Sequence, residues 1–141
     1  MSLLLIFFIF FNSIFIGLKL AHSLIEFDNS TNEVRKLSTV NGLSEVGISC
    51  IVSNLSHQAL VVAYNSSNLD IIKNDRIINL SSILNSTITG DKTINNLYSN
   101  NKYVYGLDTN KNAWRRPING SGKWEKFGNP ANWQFYWINA S

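Results

Sequence analysis

The chain's supply of soft metal ligands and easily activated nucleophiles is two histidines and a single cysteine. His22 falls in an apolar N-terminal stretch, so His57, in a polar turn, is the one histidine in the body of the chain. With Cys50 alone, no internal disulfide can form and no tetrahedral nitrogen–sulfur metal site can be assembled. Cys50 sits in an apolar run and reads as a small buried residue rather than a nucleophile. His57 reads as a solvated turn residue, and no motif supports a Ser-His-Asp arrangement. The stretch from Thr89 to Lys92, TGDK, lacks the glycine spacing of a phosphate loop. It reads as a turn in which Gly90 takes positive φ and Asp91 hydrogen-bonds locally. No catalytic set, metal site or cofactor is expected, and the chain is read as non-enzymatic.

Residues suited to non-covalent recognition crowd the C-terminus. Trp114, Trp124, Trp133, Phe135, Tyr136 and Trp137 fall within 24 positions. Flat indole faces stack on sugar rings, and neighbouring Arg, Lys and Asn side chains bind hydroxyls and phosphates. Trp114, Arg115, Arg116, Trp124, Trp133, Tyr136 and Trp137 are therefore the candidate ligand-binding set. Arg115 and Arg116 beside Trp114 would suit an acidic glycan such as lipopolysaccharide. The competing reading makes these tryptophans packing between stacked sheets.

The 141 residues are enough for one domain with a real core. A net charge of +3, from 12 basic and 9 acidic side chains scattered along the chain, is too weak to argue for nucleic acid. The 20 asparagines fit the codon bias of an AT-rich genome. They also account for seven Asn-X-Ser/Thr sequons, at Asn29, Asn54, Asn65, Asn79, Asn85, Asn119 and Asn139, which matter only in a eukaryotic secretory pathway. Residues 3–18, LLLIFFIFFNSIFIGL, are almost unbroken hydrophobe and are predicted to form a helix. That helix would be a signal peptide cleaved before Leu24 or, uncleaved, a membrane anchor, although no Lys or Arg precedes it. On either reading the remainder is exported and faces a non-cytoplasmic compartment, the outer membrane surface or the periplasm.

The elements that must position these residues are strands. The stretch 48–80 reads as four short runs rich in Ile, Val and Tyr, at 48–52, 59–64, 69–73 and 76–80. They are separated by turns of Asn, Ser and Asp. Four antiparallel strands in one meander make a propeller blade. The hairpin 24–28 and 33–37 resembles the outer half of that unit, and 103–108 with 113–116 repeats it. Third strands beginning at Leu24, Asn68 and Asn112 are spaced by 44 residues, within the range of blade repeats. The expected fold is all-β. It is an incomplete propeller of about 2.5–3 four-stranded antiparallel blades behind an N-terminal hydrophobic helix. The expected layout is a signal or anchor at 1–23, a half blade at 24–37, a full blade at 48–80, a blade at about 95–128 and the start of another at 133–141. A ring closes with roughly four to eight blades. Such a chain would therefore self-associate through open blade edges or be a fragment of a longer product.

From residue 24 to 105 the sequence resembles the N-terminal propeller of PorZ-type proteins. These are cell-surface components of the type IX secretion system of Bacteroidota. The most specific matching pieces are LSTVNGLS at 37–44 with VGIS at 46–49, and ITGDKTI at 88–94. The resemblance implies an exported β-propeller at the outer membrane. It would belong to the complex that processes secreted cargo and attaches it to anionic lipopolysaccharide, with other secretion-system or envelope proteins as partners. Before Leu24 the family would carry the inner strands of its first blade, where this chain has the apolar segment. The tail at about 102–141 looks more like a tectonin-type propeller repeat, which implies a carbohydrate- or lipopolysaccharide-binding lectin as the alternative.

Overall fold

The computed structural model describes residues 5–10, 13–18, 23–54, 56–119 and 122–128, of which 5–18 and 127–128 are described by backbone alone. Strands β1 (Leu5–Phe10), β2 (Ser13–Leu18), β3 (Leu24–Asp28) and β4 (Glu33–Leu37) form the first antiparallel sheet, in chain order. The second consists of β5 (Ile48–Asn54), β6 (Ala59–Tyr64), β7 (Leu69–Lys73) and β8 (Arg76–Asn79). The third consists of β9 (Ile94–Ser99), β10 (Tyr103–Asp108), β11 (Ala113–Pro117) and β12 (Glu125–Gly128). Three consecutive four-stranded meanders, packed face to face, are three blades of a propeller.

The N-terminal expectation is corrected here. In place of a helix over 3–18, the chain forms β1 and β2, which pair with each other, and β2 pairs in turn with β3. Ile14 stands opposite Phe27 and Ile16 opposite Ile25, so the half blade expected at 24–37 is the outer half of a complete one. An apolar run does not reveal its own period, and hydropathy alone does not separate a buried strand from a helix. Isoleucine and phenylalanine, which fill these two segments, favour the strand. Among the described residues no helix is long and apolar enough to cross a membrane, a statement that does not bear on strands. The expected next strand at 133–141 lies outside the described residues.

Turn chemistry sets the strands. Asn74 and Asp75 adopt φ of 51° and 58° between β7 and β8, the two left-handed positions of a type I′ hairpin turn. The turns 64–68 and 108–112 are built alike. Tyr64 N donates to Asn68 O at 2.9 Å and Asp108 N to Asn112 O at 3.1 Å, with Ser67 and Lys111 at positive φ. These paired turns give the 44-residue repeat a physical basis.

The second blade is the heart of the core. Along β6, Leu60, Val62 and Tyr64 pack with Leu24, Leu37 and Leu43 on the side of the first blade. The alternate residues Ala59, Val61 and Ala63 pack with Ile94, Val104 and Trp114 on the side of the third. Every residue of β6 is therefore buried, as the period of two demands of a strand covered on both faces. The connector from β4 to β5 is fastened by Asp70, which is fully buried. Its carboxylate accepts from Ser44 N at 2.8 Å, Ser44 Oγ at 2.6 Å, Tyr64 Oη at 2.5 Å and Asn79 Nδ2 at 3.0 Å. Burial, and then the Asp70 carboxylate, push the Tyr64 phenol above its ordinary range.

Candidate interaction surface

Strand β11 divides the candidate residues by its alternation. Trp114 stands opposite Gly106 and Arg116 opposite Val104, on the face turned to the second blade, while Arg115 stands opposite Tyr105 on the other face. Trp114 is 3% exposed, and its Nε1 donates to Asp108 Oδ2 at 2.9 Å. The same carboxylate accepts from Asn112 N and Asn112 Nδ2, both at 2.9 Å. Trp124 is 6% exposed in the same cluster. Its backbone N–H donates to Ser82 Oγ at 3.1 Å, whereas its buried indole Nε1 has no hydrogen-bond partner among the described residues. Both rings are thus placed between blades. Arg116 is buried as well and donates Nε and Nη2 to Gly122 O, at 3.1 and 2.8 Å. Desolvation lowers its pKa from the ordinary arginine value. Trp133, Tyr136 and Trp137 lie outside the described residues, as does Phe135.

Among the described candidates, Arg115 alone faces away from the core. Its guanidinium lies 5.3 Å from the ring centroid of Tyr103, and its Nε donates to Glu125 Oε1 at 2.7 Å, which raises its pKa. Around it the far face of the third blade carries tyrosines that the sequence reading passed over. Tyr98 and Tyr105 stack with centroids 6.1 Å apart, and Tyr103 meets Tyr105 at 5.9 Å. All three are half-buried. A period-two signal was present in the Tyr103-Val104-Tyr105 alternation, but its partner Tyr98 comes from β9 and is placed only by the register. Beside them a recess of about 500 Å³ is lined by Tyr98, Ser99, Asn100, Asn101 and Lys102. Aromatic rings with hydroxyl tips, a cation and amide groups are groups that can stack on and hydrogen-bond a partner. In a closed ring this face receives the next blade.

The remaining reactive side chains take structural places. His57 is tied more firmly than a solvated turn residue. Its backbone N–H donates to Asn54 Oδ1 at 3.0 Å, and its ring Nε2 lies 2.8 Å from Asn101 O across the seam to the third blade. Cys50 is half-buried, its thiol 3.3 Å from Ile94 O. Gly90 has φ of 95°, and Asp91 Oδ1 accepts from Thr93 N at 2.9 Å, the local turn expected for 89–92. Lys92, unexpectedly buried, donates Nζ to Leu84 O at 2.9 Å and to Ser86 O at 3.2 Å, which pins the connector. Among the described residues no cluster of three or more His, Cys, Asp or Glu could hold a metal ion.

A run of four-stranded meanders with blade-to-blade cores defines a propeller segment, and sequence comparison gives its family. Residues 20–109, more than half of the chain, match the PorZ N-terminal β-propeller domain of the type IX secretion system. The chain belongs to that family. Its structure is similar to that of PorZ, described as an essential bacterial surface component of the type IX secretion system of human oral-microbiomic Porphyromonas gingivalis. The two share 13% identity at a TM-score of 0.52, over 86% of this chain and 22% of that one, so the likeness speaks for the fold. The chain spans about a fifth of the length of that protein. No curated protein matches it.

Proposed function

We propose that this chain is a non-enzymatic scaffold and interaction module of the bacterial cell envelope, acting in the attachment machinery of the type IX secretion system. The observation that carries the reading is the family match over 20–109, which takes in the second blade and the connectors on either side of it. The use of buried polar groups supports it. Asp70 accepts hydrogen bonds from Ser44 of the preceding connector and from Tyr64 of its own blade, and Asp108 accepts from Asn112 and Trp114 of its own blade, so these carboxylates fix a connector and a turn. The partners called for are other secretion-system proteins, with an anionic glycan or a second copy at an open blade edge as further ones. Export to the outer membrane surface or periplasm follows from the same reading.

The test is fractionation of the native host carrying an affinity-tagged chain, followed by cross-linking and mass spectrometry of the envelope. Recovery with secretion-system proteins in the outer membrane fraction is expected. Recovery from the cytosol, with no envelope protein attached, overturns the proposal.

A further inference from the structure

The seam between the second and third blades is tight at its inner strands. From β5, Ser49 Oγ donates to Ile94 O of β9 at 2.8 Å and Asn54 Nδ2 to the carbonyl of Asn100, just after β9, at 2.7 Å. At the outer rim the seam opens. Ile78 stands opposite Ile71, on the face turned to the third blade, yet it is 51% exposed. A cleft of about 600 Å³ lies there, with Ile78, Leu80 and Trp124 as its apolar lining and Ser82, Asn85 and Lys123 among its polar groups. Among the described residues no carboxylate lines it, while Lys123 and Arg116 bring positive charge. The buried Trp124 Nε1 has no acceptor among the described residues, and a buried donor without a partner is costly enough to invite one. Among the described residues, strand β8 is the last of its sheet, with one backbone edge open for pairing.

We infer that this rim is a docking site for an extended acidic segment of a partner protein. The segment adds to β8 as a fifth strand, inserts an apolar side chain between Ile78 and Trp124, and brings its carboxylates to Lys123. Main-chain pairing gives such strand addition its affinity, and the cleft gives it selectivity. Positive lining without acid selects an acidic segment over a basic one. This site rests on the interaction-module reading above and assigns it a surface.

The probe is an acetylated Glu-Val-Glu-Val-Glu-Val peptide titrated into the isotope-labelled whole chain. The signal is the Trp124 indole N–H resonance, assigned by its loss in Trp124→Phe. A saturable shift of that resonance with added protection of the β8 amides is expected, and the matching Lys-Val peptide should produce neither. Lys123→Glu, at an exposed position, should leave the other resonances in place and weaken binding about tenfold. Ile78→Lys should abolish the response. The site is overturned by an indole that does not move at about 1 mM peptide. It is equally overturned by the same response to the basic peptide, by a Lys123→Glu chain that binds as before, or by a sulfated oligosaccharide that moves the indole where the peptide does not. If the peptide fails while the tagged chain still recovers envelope proteins, this docking surface falls and the broader function stands.

Discussion

Tryptophan carries the same side chain whether it stacks on a ligand or fills a seam, and its neighbours decide between the two. Trp114 has Asp108 holding its indole N–H and the core of the second and third blades around its ring. Trp114→Ala is therefore expected to cost about 3–5 kcal/mol in a denaturant titration. Arg115→Ala, at a half-exposed ion pair with Glu125, should leave stability nearly unchanged. Acid sensitivity has a residue-level origin too. Asp28 and Asp91 lie below the ordinary aspartate value of 3.8 because Ser30 and Thr93, respectively, donate to their carboxylates. A depressed folded pKa contributes stability that is fully present above the ordinary value and is lost as pH falls through the folded one. The melting temperature should thus drop on acidification below about pH 4, and the drop should be shallower in an Asp28→Asn, Asp91→Asn double variant. Chemistry of the single residue was legible beforehand for Gly90 and Asp91, whose turn is local. Lys92 was not legible, because the carbonyls of Leu84 and Ser86 that accept from it are brought close only by the folded connector.

The connectors explain why short motifs carry so much of the family likeness. In 37–44, Leu37 and Leu43 enter the core, Asn41 Oδ1 accepts from Ser38 N at 2.5 Å, and Ser44 docks on Asp70. Gly42, at φ of 127°, lets the chain turn where a Cβ would stand 2.9 Å from Ile77 Cδ1. In 88–94, Ile94 is buried and Gly90 turns the chain in the same way. The first blade raises a sharper question of composition. Strand β3 pairs on one side with β4 and on the other with β2, so its inner edge needs residues 13–18. A chain started at Leu24 would expose that edge and is expected to aggregate on size-exclusion chromatography, where the whole chain remains dispersed. N-terminal sequencing of protein from the envelope should accordingly find β1 and β2 retained. The hairpins at 24–37 and 69–79 could be read directly, since alternation and Asn-rich turns are local signals. β1 and β2 could not, because a uniformly apolar run has no period to read.

Three blades in a row make a quasi-linear stack, in which each blade is stabilised by its neighbours. The middle blade, covered on both faces, should be the slowest part to open. Native-state hydrogen exchange is expected to place β6 amides near the global unfolding free energy and those of the outer strands β4 and β8 well below it. Equal protection in β6 and β8 would contradict a core centred on the second blade. Across the molecule, strand spans, turns, the 44-residue interval and the family likeness follow from the order of residues, because each rests on contacts between chain neighbours or on a repeat of such contacts. Tertiary structure alone assigned the apolar N-terminus to the first blade, turned Trp114 and Trp124 inward, gathered Tyr98, Tyr103 and Tyr105 on one face, and left the rim beside Ile78 open. Those outcomes depend on which sheet lies against which, and one strand's sequence does not specify its neighbour across the seam.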